Sequence, residues 1–189
     1  MSKQTIREQL LTARRSVPQF EVLQRSEAVH KRLHGLAEFN QASTVLCYVS
    51  CRGEVDTLPV LEQCIARGVS VFAPRIDGTT MEWRRFSGFN SLKRGRFGIL
   101  EPTKDSPLYA SHDDAVVLVP GVAFTPHGDR LGMGGGYFDQ FLATSTCFRV
   151  GLAFDYQIVD SLPHEEHDQI MDVIVTESTI YPVDRHAAR

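Results

Sequence analysis

The chain has 189 residues, 42% of them hydrophobic and 23% charged, and a formal net charge of −3. That length favours a single domain with a core large enough to fold without disulfides or a structural metal. The charge gives no general attraction to nucleic acid or to anionic membranes, so neither is expected as a partner.

In chain order, residues 2–39 read as helical, with a break at Pro18. Ile6, Leu10, Leu11 and Ala13 form one apolar face, and Val22, Val29, Leu33 and Leu36 form a second. Gly35 and Asn40 are stop signals. The first ten residues are polar, with Lys3, Arg7 and Glu8 and no apolar core of a signal peptide. No run elsewhere approaches the ~18 apolar residues of a membrane span, so a cytoplasmic protein is expected.

The pattern then changes. Residues 44–49 form a β-rich run, a polar loop covers 50–56, and a helix over 57–67 ends at Gly68. A strand follows over 69–73. This βαβ unit implies parallel strands and a right-handed crossover. Residues 81–86 read as a strand after the Asp77-Gly78 turn, and 87–107 as loop. Residues 115–119 form a continuous apolar run, as in a strand covered on both faces. A helix over 138–143 and strands over 149–154 and 173–176 complete the set. Alternating strands and helices predict a single three-layer α/β domain with a mostly parallel sheet. Ligands bind such sheets beyond the C-terminal ends of the strands, which directs attention to the loops after Val49, Val119 and Phe154.

Cys47, Cys51, Cys64 and Cys147 contain no C-x-x-C pair and read as buried free thiols in a reducing compartment. The run His164-Glu-Glu-His167-Asp168 lacks the spacing of a metalloprotease helix and reads as a solvated acidic loop. Trp83, alone on its strand, reads as core packing before ring stacking on a ligand.

The most informative segment is Arg130-Leu-Gly-Met-Gly-Gly-Gly-Tyr-Phe-Asp139. Four glycines lie just before a helix, where exposed N–H groups and the helix N-terminus form an anion site. Arg130 stands at its edge, placed to hold a phosphate. The dinucleotide fingerprint is excluded because Tyr137 stands where its third glycine belongs. A P-loop is excluded because the segment closes on Gly-Tyr-Phe. Asp139 fits the first helical turn through the helix dipole alone. Beside phosphates, a carboxylate also implies an intervening Mg²⁺.

These residues resemble the 5-formyltetrahydrofolate cyclo-ligase family. The likeness rests on Pro120-Gly-Val-Ala-Phe124 and on Arg130 to Asp139. It extends to Glu54-Val-Asp-Thr57, to Lys3, Arg7 and Arg14-Arg15, and to Pro163, Asp168 and Thr176. The resemblance implies a sheet similar to that of sugar-phosphate isomerases and CoA transferases. It also implies ATP, Mg²⁺ and a reduced folate, 5-formyltetrahydrofolate or its polyglutamylated form; a monomer is expected. By the same resemblance, Lys3, Gln4, Thr5, Ile6 and Arg7 contact nucleotide, together with Arg130, Leu131, Gly132, Met133, Gly134, Gly135, Gly136, Tyr137 and Phe138. Val49 and Glu54 would contact folate, as would Met133 to Tyr137, where the formyl group meets the γ-phosphate. Arg130 and Tyr137 would be catalytic, and Asp139 and Asp168 would hold the metal. Met133 and Gln140 depart from the family's usual aromatic and basic residues. Two rivals remain at this stage, a sugar-phosphate isomerase or CoA-transferase relative and a folate-binding protein without turnover. A requirement for ATP and Mg²⁺ separates them from the first reading.

Overall fold

The computed structural model describes residues 1–95, 98–110 and 115–184. Among these, seven strands form one sheet in the order β11-β10-β9-β6-β1-β2-β3. The strands are β1 (Thr44–Cys47), β2 (Ser70–Asp77), β3 (Thr80–Arg85), β6 (Ala115–Pro120), β9 (Phe148–Leu152), β10 (Val173–Val175) and β11 (Ile180–Pro182). Neighbours from β2 through β10 pair in parallel, and both edge strands pair antiparallel. The mostly parallel α/β sheet expected from the sequence is therefore present.

Alternation along the strands builds two core layers. Val45, Val116, Leu118, Val150, Val173 and Val175 face a cluster shared with Val22, Val29 and Leu33 of α2 (Gln19–Leu33). Val60, Leu61 and Cys64 of α4 (Leu58–Ala66) join the same cluster. Leu46, Val117, Val119 and Ile174 face the other side, against Trp83, Phe124 and Leu142 of α5 (Tyr137–Thr144). Since each strand feeds both layers, apolar residues run without interruption through β6, and period-two amphipathicity is absent.

The N-terminal helical stretch divides where expected. α1 (Lys3–Ser16) ends at Val17, and Pro18 caps α2. Gly35 follows the end of α2, but Asn40 lies inside a short α3 (Ala37–Gln41) and stops nothing.

Other boundaries move for identifiable reasons. β1 stops at Cys47, two residues before the expected end, because the Thr57 hydroxyl donates to the Tyr48 carbonyl at 2.7 Å and takes it out of the ladder. β2 runs four residues beyond the expected 73. Its pairing with β1 ends at Phe72, but β3 continues alongside it to Asp77. Pro74 is tolerated there because only one side of the strand is paired.

The stretch 87–107, expected as loop, holds a 3-10 turn (Phe89–Ser91) and an antiparallel ribbon. This ribbon consists of β4 (Leu92–Arg94) and β5 (Leu100–Pro102); the Arg96 and Phe97 part of that expectation lies outside the described residues. Three residues per strand leave no readable alternation. A second small hairpin, β7 (Ala123–Phe124) with β8 (Arg130–Leu131), was missed for the same reason, as was the edge strand β11.

The ribbon is fixed to the sheet by Arg75, whose Nη1 donates to Glu101 Oε1 at 2.7 Å and to the Pro102 carbonyl at 3.1 Å. Residues of both hairpins line a cleft beside the sheet. No helix among the described residues is long and apolar enough to cross a membrane.

Candidate active site

The glycine segment takes its shape from backbone that side chains resist. Gly134 and Gly136 sit at φ +95° and +68°, and Gly136 caps the N-terminus of α5. A Cβ at either position would be strained whatever the space around it. Tyr137 and Phe138 open the helix, and Asp139 occupies its first turn. Arg130, at the end of the β7–β8 hairpin, is 8% exposed and donates from Nη2 to Asp139 Oδ1 at 2.6 Å. A longer bond of 3.4 Å runs from its Nη1 to the Pro120 carbonyl. Its buried Nε has no partner among the described residues. A guanidinium on the cavity wall beside a glycine-rich helix N-terminus suits an anionic guest.

α1 lies across this loop. Arg7 Nε donates to the Gly132 carbonyl at 2.9 Å, and Lys3 Nζ donates to Asp168 Oδ2 at 2.6 Å. Lys3 also lies 3.2 Å from Glu165. Burial pushes the Asp168 carboxyl up, but the Lys3 ammonium and the Glu165 N–H together hold it below the usual carboxylate range. Burial likewise lowers Lys3, and its two carboxylate partners outweigh that and raise it.

The opposite wall begins at the loop after β1. Glu54 Oε2 accepts from the Cys51 N–H at 3.0 Å, and Oε1 lies 3.6 Å from Arg14 Nη1. Burial pushes the Glu54 carboxyl up, and Arg14 holds back part of that rise. The neighbouring Cys51 thiol is pushed up to about 12, chiefly by burial, which leaves it a poor nucleophile at neutral pH.

Between these walls lies a cavity of about 920 Å³. It is lined by Lys3, Gln4 and Arg7, by every residue from Arg130 to Asp139, and by Val49, Glu54 and Asp168. Residues from distant segments thus face one space. Thr5 and Ile6 are the exceptions to the expected set. Ile6 packs against Ala123 and Leu131, and the Thr5 hydroxyl pairs with Ser2 at the helix start. Helical periodicity explains the correction, because positions 3, 4 and 7 share a face that 5 and 6 do not.

Sequence reasoning missed the apolar end of the cavity. Pro74, Ile76 and Met81 come from the β2–β3 hairpin, and Ile99 and Leu100 from the β4–β5 ribbon. Cys51 also lines the cavity and is only half-buried, unlike the other three free cysteines. Trp83 is buried against Phe138 and Phe141, with ring centroids 6.0 and 5.3 Å away, and is core as expected. The two histidines of the acidic loop do not converge. His164 faces Asp129 at 3.9 Å and His167 faces Glu165 at 3.2 Å. Glu165, His167 and Asp168 still bring ligand atoms within 4.8 Å of one another, so the loop is less dispersed than its sequence implied.

Comparison with known proteins identifies the family. A family described as the 5-formyltetrahydrofolate cyclo-ligase family matches residues 1–177. The 5-formyltetrahydrofolate cyclo-ligase of Escherichia coli K12 is 35% identical over 148 residues, covering 74% of this chain and 81% of that protein. A probable 5-formyltetrahydrofolate cyclo-ligase of Caenorhabditis elegans is 28% identical over 190 residues, covering 93% and 92%. The NMR structure of Aquifex aeolicus 5,10-methenyltetrahydrofolate synthetase superposes with a TM-score of 0.86 at 32% identity, covering 97% of this chain and 93% of that one. With the family model, the similar proteins and the fold in agreement, this chain belongs to the 5-formyltetrahydrofolate cyclo-ligase family of ligases.

Proposed function

We propose that the cavity binds ATP at the glycine segment and 5-formyltetrahydrofolate between that segment and the Glu54 wall, within a single cytoplasmic domain. The formyl oxygen displaces ADP from the γ-phosphorus. N10 then attacks the carbon of the phosphorylated formyl group, the C–O bond breaks, and phosphate leaves as the N10 proton is lost. The product is 5,10-methenyltetrahydrofolate. The observation that carries this reading is the convergence of Arg130, the glycine-rich N-terminus of α5 and the α1 cations Lys3 and Arg7 on one cavity.

The chain's tasks are placement and charge neutralisation, because phosphoryl transfer leaves little covalent work to a protein. Arg130 and the N–H groups before α5 meet the charge that develops on the transferred phosphoryl oxygens. Lys3 and Arg7 add cationic charge from α1. Tyr137 packs beside Gly135, where the formyl group would approach. Glu54 accepts two parallel hydrogen bonds from the N–H pattern of the pterin, which sets its orientation. Pro74, Ile76 and Met81 offer an apolar wall to the remainder of the ligand. Ring closure joins two atoms of one molecule, so holding N10 near the carbon supplies much of the acceleration.

Asp139 and Asp168 supply hard oxygen donors on the cavity wall and fit Mg²⁺, which takes one or two carboxylates alongside phosphate oxygens. The ion's contribution is to neutralise charge on the phosphates.

The test is absorbance at the methenyl chromophore with 5-formyltetrahydrofolate, with and without Mg-ATP. Growth only with Mg-ATP, matched by ADP release, is expected. No growth with folded protein would overturn the proposal.

A further inference from the structure

Arg14 lies outside the cavity lining, yet it touches two of the loops that form it. It belongs to the last turn of α1 and is 5% exposed. Its Nη1 lies 3.6 Å from Glu54 Oε1, in the loop after β1. Its Nη2 donates to the Gly121 carbonyl at 2.6 Å, in the loop after β6. That same carbonyl accepts from Gln157 Nε2 at 2.9 Å, and Gln157 also donates to the Val122 carbonyl at 3.1 Å. Gln157 is itself buried, in the 3-10 turn after β9. The side-chain amide oxygen of Gln157 accepts from the Phe154 N–H at 2.9 Å. One buried chain of hydrogen bonds and charge therefore runs from Glu54 through Arg14 and Gly121 to Gln157. It joins the loops after three adjacent parallel strands, β1, β6 and β9.

A guanidinium suits this position because its fork offers donors in two fixed directions at once, whereas an ammonium is a point charge on a flexible stem. Burial alone would favour a protonated Glu54, and the adjacent Arg14 favours the ionised form that can accept from a ligand.

We infer that Arg14 is a positioning residue for folate recognition, holding the Glu54 carboxylate in place against the Gly121 loop without touching either substrate. This rests on the proposed role of Glu54. α1 consequently serves both ends of the cavity, the nucleotide end through Lys3 and Arg7 and the folate end through Arg14.

The experiment is two-substrate steady-state kinetics on Arg14→Met, Arg14→Lys, Glu54→Gln and the double variant Arg14→Met with Glu54→Gln, each checked by thermal melting. Arg14→Met raises KM for 5-formyltetrahydrofolate tenfold or more and changes KM for ATP less than twofold. Arg14→Lys recovers only part of that loss, because it restores the charge beside Glu54 but not the second donor to Gly121. In the double variant, the folate KM stays within twofold of Glu54→Gln alone, because the second change removes a support whose object is already gone. A merely structural Arg14 would lower the melting temperature and turnover while leaving the folate KM unchanged, and that result overturns the inference. If Arg14→Met does not fold, Arg14→Lys and the double variant, which buries no unpaired carboxylate, decide the question by the same KM readouts. An unchanged folate KM in Glu54→Gln overturns the parent reading. A raised KM in Glu54→Gln with none in the Arg14 variants overturns the positioning role alone.

Discussion

The two ends of the cavity are built in opposite ways. At the glycine end, ten consecutive residues supply the backbone donors, the guanidinium and the carboxylate. Its central ion pair, Arg130 with Asp139, joins residues nine apart. At the other end, Glu54 is braced by Arg14 from another helix, and Arg14 reaches Gly121 across 107 positions of sequence. The apolar wall there comes from two hairpins held together by Arg75 and Glu101. A site for phosphate can be local because backbone N–H groups and a helix terminus recognise it. A site for a large, mostly flat ligand cannot, because apolar area must converge from several elements.

Variants at the two ends should separate accordingly, and the largest effect is expected at Arg130. Arg130→Met should lower turnover about 10²–10³-fold, the scale of losing one preorganised donor to a developing negative charge. Single-turnover absorbance measurements with saturating substrates check this. Turnover within threefold of the parent would place the essential charge elsewhere.

Asp139→Asn comes next. Losing one charge-assisted contact of about 1.5–3 kcal/mol should cut kcat/KM for Mg-ATP roughly tenfold to a hundredfold, with the melting temperature little changed. A Mg²⁺ titration at fixed ATP is the sharpest readout. An unaltered magnesium dependence would restrict Asp139 to its pairing with Arg130.

Glu54→Gln should raise KM for 5-formyltetrahydrofolate about tenfold and leave KM for ATP unchanged. Its raised folded-state value also fixes the direction of the pH response. The ionised form is needed to accept from the pterin, so kcat/KM for folate should fall with pH through a midpoint above the ordinary 4.5. That limb should vanish in Glu54→Gln. For stability the sign is opposite. The folded state holds this proton more tightly than the unfolded state, so the carboxyl's contribution is greatest below 4.5 and is lost as pH rises through the folded value. Denaturant midpoints of parent and Glu54→Gln, measured across that range, test it.

The smallest effect is expected at the apolar wall. Met81→Ala removes about 1 kcal/mol of contact area and should raise the folate KM a few-fold without affecting ATP. An equal effect on both substrates would mean that the two ends are not separate subsites.

The sequence by itself determined the alternating strands and helices, the break at Pro18 and the glycine-rich loop before α5. Each of these depends on residues within about a dozen positions of one another. Glycines at positive φ and a run apolar on both faces carry their own physical meaning wherever they occur. It also marked Arg14, as part of the basic N-terminal pattern in the family resemblance, without showing what it meets.

Only the tertiary structure decided which charges meet, because pairing across a fold leaves no local pattern. It buried Arg14 between two loops, turned Ile6 into the core beside Leu131, and closed the cleft with hairpins too short to show periodicity. Local chemistry was legible in the chain. Convergence was not, because it depends on how strands distant in sequence come to lie side by side.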